Sequence, residues 1–172
     1  MVCKGSAVNA LIEQTELVEL VRNCFFEQPT REKILALEAA LMQLPQADIP
    51  LRHYFANGVY GRAITMPQGA LIVGKLHKKE HLCIVASGEV SVLTEQGPTR
   101  LKAGEVFASY PGTKRVLYAH EETVWVTVHP NPMNERDTDR LETDYIAATY
   151  AELDGVVMEI PRLEHEGEPC RL

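Results

Sequence analysis

The sequence predicts a mostly β protein: a single antiparallel barrel or sandwich, with a helical hairpin before it and a helix after it. Three observations predict this. From Arg52 to Pro130, short runs rich in Val, Ile, Thr and aromatic residues recur between Gly, Pro and Ser turn signals. The spacers between those runs leave no room for crossover helices, which excludes a parallel α/β sheet. Helical periodicity is confined to the two ends of the chain.

In "TELVELVRNCFF", Leu17, Leu20, Val21, Cys24 and Phe25 fall at helical spacing after Thr15, a candidate N-cap. After "EQPTRE" breaks the pattern, Thr30 is placed to cap a second helix with the stripe Ile34, Leu37, Leu41 and Leu44. Pro45 and Pro50 end it. The hairpin is acidic, which disfavours a DNA-reading helix-turn-helix and favours packing on the main domain or on a second subunit. The β-rich runs are "GVYGRAITM", "ALIVGKLH", "HLCIVA", "EVSVLT", "TRLKA", "EVFASY", "KRVLYA" and "TVWVTVH". Asn131-Pro132 closes this region, and Asp137 or Thr138 caps a third helix through Leu141, Tyr145, Ile146 and Ala148. "VVMEI" is a candidate extra strand, and the polar end is expected to be loose. The divisions are therefore 1–51, helical; 52–130, barrel; and 131–172, helix and tail.

The net charge of −7 is unevenly spread. Residues 52–119 hold nine basic and four acidic side chains, while residues 120–172 hold four basic and thirteen acidic. An acidic protein with a locally positive centre argues against nucleic acid as partner and allows a small anionic ligand. No long uncharged apolar run or signal-like start is visible, so a cytoplasmic protein without a membrane span is expected. Cys3, Cys24, Cys83 and Cys170 form no Cys-x-x-Cys pair, which favours reduced thiols over a structural zinc site.

The chemistry-bearing stretch is "LHKKEHLCIVASGEVSV". His77 and His81 would lie about 13 Å apart on a fully extended strand, too far to share an ion. They converge only if Lys78-Lys79-Glu80 bends, and that charged triplet suits an exposed turn. His129 is the best third candidate: Thr123, Trp125, Thr127 and His129 share one strand face, and Val124, Val126 and Val128 share the other. Three imidazoles would suit iron, manganese, nickel or zinc. The competing reading is a histidine pair that is solvated or bonded to backbone groups. Cys83, in "HLCIV", reads as a small buried apolar residue.

The β region resembles the cupin family, a jelly-roll, double-stranded β-helix barrel, over roughly residues 58–130. Gly69 precedes the first motif and Gly88 closes it. Counting back from Gly88, His81 occupies the motif's acidic position, His77 its second histidine and Lys75 its first. In the second motif, Gly104 and Pro111-Gly112 are followed by Arg115 at the histidine position and Ala119 at the asparagine position. The wording also looks like small cupin-like proteins of tailed bacteriophages, which would place the chain in a host cytoplasm.

The resemblance implies a barrel interior that holds a ligand, with a metal at His77, His81 and His129. With Lys75 and Arg115 in place of ligands, it implies a cationic pocket for a small anion. Tyr110 joins them as a candidate contact. Some cupin-fold sugar epimerases pair a His base with a Tyr acid, for which Tyr60, Tyr110 and Tyr118 are available. The function expected is a small-ligand-binding cupin, with or without a metal; the alternative is a non-enzymatic accessory or partner-binding protein, with the barrel as scaffold. Small cupins often form dimers, so a homodimer is expected.

Overall fold

The structure, a computed structural model, describes residues 7–8, 21–22 and 29–153. Within them lie two five-stranded antiparallel sheets, one two-stranded sheet, two helices and a short 3-10 turn. In chain order these are β1 (Ala7–Val8), α1 (Arg31–Leu41), β2 (Leu51–Ala56), β3 (Gly58–Met66), β4 (Leu71–Val73), β5 (Leu76–His77) and β6 (His81–Ser87). There follow β7 (Glu89–Thr94), β8 (Gly97–Lys102), β9 (Val106–Ser109), β10 (Val116–Ala119), β11 (Thr123–Asn131), α2 (Thr138–Tyr145) and β12 (Ile146–Ala147). The 3-10 turn is Tyr150–Leu153.

One large sheet has the order β1-β4-β10-β7-β8, the other β2-β3-β11-β6-β9. Their facing sides bury Met66, Ile72, Cys83, Val85, Val90, Val92, Leu101, Leu117 and Trp125 in one cluster. The chain passes between sheets at tight turns. At the β6–β7 turn, Gly88 has φ +80°, and a Cβ there would meet the Glu122 carbonyl oxygen at 2.3 Å. Only glycine permits that backbone approach.

The outer face of the first sheet is covered. Thr30 caps α1, its hydroxyl accepting from the Lys33 N–H, and Ile34, Leu37 and Leu41 pack on Leu71, Val73, Leu93 and Val116. Lys114 ties α1 to the barrel through Glu38 at 2.8 Å. The outer face of the second sheet is open: Tyr54, Val59, Leu82 and Val106 are exposed there. No helix of the described residues is long and apolar enough to cross a membrane.

Some expectations fall outside the described residues, and others need correction. The first helix of the hairpin lies outside the described residues, apart from helical Val21–Arg22, as do "VVMEI" and the tail. β2 was not anticipated, because "LRHYFA" is polar at Arg52-His53 and follows a proline; His53 therefore sits within the β region. The third helix starts at the expected cap, Asp137, but ends at Tyr145. Ile146 and Ala147 instead pair with His77 and Leu76, so a long-range strand partner overrides local helical preference. Lys114 is buried in its ion pair with Glu38.

Candidate metal centre

β5 ends at His77, the chain bends at Lys78–Lys79, and β6 begins at His81. The bend is pinned from both sides: the Gly112 N–H donates to the His77 carbonyl at 2.9 Å, and the Lys78 N–H to the Tyr145 carbonyl at 2.7 Å. The return carries the two rings together, with centroids 4.1 Å apart. His129 enters from β11, on the face it shares with Thr127 and Trp125, all three buried. Its ring centroid lies 5.3 Å from that of His77 and 4.6 Å from that of His81. One ring nitrogen from each histidine lies within 4.8 Å of the others.

The hydrogen bonds identify which nitrogens are available. His81 Nδ1 lies 3.1 Å from the Lys79 carbonyl. A carbonyl only accepts, so Nδ1 carries the proton and Nε2 the lone pair. That Nε2 is buried and has no hydrogen-bond partner. His129 Nε2 contacts the Thr127 hydroxyl at 3.1 Å, leaving its Nδ1 buried and unpartnered. His77 Nδ1 is in the same condition. A buried polar atom without a partner costs about 1–3 kcal/mol, and each of the three clustered rings carries one, which suits a site that takes an ion.

Electrostatics keeps the rings neutral. Burial pushes His77 well below the ordinary imidazole range, aided by His81, His129, Arg115 and Arg62. Burial lowers His81 to about 4, with Arg115 contributing. Burial also lowers His129 to about 3, with His81, Arg62 and Lys79 contributing. At neutral pH each ring therefore keeps a lone pair. Two ligands at about 2.1 Å from one tetrahedral ion stand about 3.4 Å apart, so nitrogens within 4.8 Å of one another draw in by up to about 1.4 Å to complete the set. The donor set fits a transition metal: three neutral imidazoles with a position left for water or ligand.

A cavity of about 740 Å³ opens beside the rings, and His77 and His129 form part of its wall. Tyr145 and Tyr60 stack toward His129, at centroid distances of 4.7 and 5.9 Å. The Tyr145 hydroxyl donates to the Pro130 carbonyl, and the Tyr60 hydroxyl is 2.8 Å from His53 Nδ1.

The remaining candidates part company here. Arg115 is buried as expected, its Nη2 donating to the Ser109 hydroxyl at 2.5 Å, but it does not line the cavity. Lys75 does line the cavity, yet its ammonium is held by Glu142 at 2.5 Å, so it is not the free cation the motif implied. Tyr110 is half-buried in the turn before Pro111 and does not line the cavity either. Cys83 is buried among apolar neighbours, and burial pushes its thiol up to about 11. His53, Tyr145 and Arg62 were not among the residues the sequence singled out. Arg62 pairs with Thr127 across β3–β11 and lines the cavity. The signal available was parity: Tyr60, Arg62 and Ile64 share one face of β3.

No protein-family model matches the chain, and no curated protein matches its sequence. Solved structures do resemble it. KdgF from a Halomonas species is 16% identical, with 57% of this chain and 93% of that one covered and a TM-score of 0.45. A double-stranded β-helix protein from Klebsiella pneumoniae is 18% identical, covering 54% and 84%, with a TM-score of 0.44. A cupin-2 domain protein from Shewanella frigidimarina is 16% identical, covering 54% and 90%, with a TM-score of 0.42. With identities below 20% and TM-scores below 0.5, these are likenesses only. Its two facing five-stranded antiparallel sheets make the mostly β, antiparallel barrel that the sequence predicts.

Proposed function

We propose that the protein binds a small molecule inside its barrel at a transition-metal centre held by His77, His81 and His129. The observation that carries this reading is the convergence of the three inward rings, each with a buried, unpartnered nitrogen. Hydrogen bonding alone does not account for such a cluster. A backbone-bonded histidine pair would have satisfied both nitrogens of each ring, and here one per ring is left over. A bound divalent ion would supply a Lewis acid at its open position. The chain supplies the rest: burial that keeps the rings deprotonated, the Lys79 carbonyl that fixes the His81 tautomer, and a cavity that brings ligands to the rings.

The charge inside the barrel favours an anionic ligand. Arg62 and Arg115 both bear on the rings, and neither has an ion pair with a described acidic residue. Adding a divalent ion raises the positive charge further, so a negative ligand would be held by the field as well as by contact.

The test is elemental analysis of protein purified without chelators. Near-stoichiometric zinc, iron, nickel or manganese is expected, and the His77→Ala/His81→Ala variant should lose it. Metal-free wild type that also fails to take up added Zn(II), Ni(II) or Mn(II) by calorimetry would defeat the reading.

A further inference from the structure

We infer that Arg62 is the anchor for the anionic end of the ligand, and that the ligand is a monocarboxylate with an apolar body. This rests on the reading of the barrel interior as a ligand site, and it names the class of molecule taken there.

The register places Arg62 without ambiguity. On β3 it stands opposite Thr127 of β11 and opposite His53 of β2, so its side chain shares the inward face with Tyr60 and Ile64. It lines the cavity, and its Nε is buried with no hydrogen-bond partner. Among the described residues the other basic side chains near the site are placed elsewhere: Lys75 is held by Glu142, Lys114 by Glu38, Arg115 bonds Ser109 away from the cavity wall, and Lys79 is exposed over the Tyr145 ring and does not line the cavity. A guanidinium fork matches a carboxylate with two parallel hydrogen bonds.

The rest of the wall defines the body and the charge. Ile64, Ile72, Leu117 and Trp125 make an apolar surface beyond Arg62. A volume of about 740 Å³ lies within the usual range of small-molecule sites, about 300–1,000 Å³. Of the three acidic residues of the wall, Glu142 is half-buried and paired with Lys75, while Asp48 and Asp139 are exposed and sit at the solvent side of the cavity. They oppose a second negative charge on the outer end of a ligand. One anionic group directed inward, with an uncharged body, is what this distribution selects.

Trp125 is the chain's only tryptophan and lies in the wall, so its fluorescence reports occupancy directly. The probes are benzoate, its neutral counterpart benzamide, and inorganic phosphate, titrated into metal-free and Zn(II)-loaded protein. Benzoate is expected to shift Trp125 emission saturably and to raise the melting temperature. Benzamide and phosphate should do neither. Arg62→Gln should weaken benzoate at least tenfold, and Arg62→Lys, which keeps the charge without the fork, should weaken it less. If Arg62→Gln does not fold, an unchanged benzoate affinity in Arg62→Lys overturns the inference, and a loss supports it.

Equal benzoate binding in Arg62→Gln, equal binding of phosphate, or no saturable response in the wild type would each overturn it. An Arg62-dependent benzoate response in protein that takes up no metal would leave this inference standing and defeat only the metal centre. Metal uptake without any benzoate response would do the reverse.

Discussion

The two ends of the barrel interior differ although the same strands build both. Along β6 the inward residues run His81, Cys83, Val85; along β11 they run His129, Thr127, Trp125. Toward Val85 and Trp125 the interior is closed by Met66, Val90, Val92 and Leu101, with Phe107 set edge-on to Trp125 at 5.7 Å. Toward His81 and His129 it holds Arg115, Ser109, Thr127 and three unpartnered ring nitrogens. Both ends keep the alternation of a two-faced strand. One end contributes folding free energy; the other consumes some of it to hold polar groups away from water.

The largest effect expected is at the apolar end. Leu101 is 1% exposed and pairs across from Val90. Leu101→Ala should cost about 2–5 kcal/mol, from lost transfer energy and the cavity left behind. Urea denaturation measures it. Metal stoichiometry below the melting transition should not change. If it fell with stability, the two ends would not be the separate units the contrast implies.

At the polar end the contrast is sharpened by pH. The folded protein holds His81 at about 4 and His129 at about 3, while an unfolded histidine titrates near 6.5. Above that value neither state takes up a proton there, so stability is independent of these rings. As pH falls from about 6.5 toward 4, the unfolded chain gains protons that the folded chain refuses, and stability falls by up to about 1.4 kcal/mol per pH unit for each ring. Denaturation of metal-free protein at intervals from pH 7.5 to 5 should show this slope, above the range where carboxylates titrate. His81→Leu should make it shallower by about one proton. An unchanged slope would mean that the rings are not held neutral.

Much of this arrangement was legible in the sequence, for identifiable reasons. The β11 alternation is a local pattern, so the face of His129 was legible, whereas the convergence of His77 with His81 was only conditional on a bend at the charged Lys78-Lys79-Glu80. Thr30 and Asp137 are caps, which are local too. The commitment of Lys75 was not legible, because Glu142 lies 67 residues away on a helix whose docking depends on β12. Arg62 was obscured by inverted polarity. On β3 the inward face carries Arg62, while the outward face at that point carries Gly61 and Ala63, so an apolar-in rule points the wrong way. Functional interiors break that rule, and parity with Tyr60 and Ile64 is the local signal that places Arg62 inward, as the register with β11 does.

The smallest expected effect bears on Arg115, where the contrast makes a prediction of opposite sign. Its guanidinium is buried, bonds to the Ser109 hydroxyl, and has no ion pair with a described acidic residue. Burial lowers its affinity for a proton, which is the signature of a charge held at a cost. Met has similar length and no charge, and replacing buried charged groups with apolar ones of similar volume is often neutral or stabilising by about 1–4 kcal/mol. Ser109 would keep the Cys83 thiol as a neighbour in hydrogen-bond reach. Arg115→Met should therefore leave the metal-free protein as stable as wild type or more stable by about 1–2 kcal/mol. It should also tighten metal binding, because a like charge beside the rings is gone. A loss of stability together with weaker metal binding would show that Arg115 supports the site structurally, and the division of the interior into a stabilising end and a costly end would have to be redrawn.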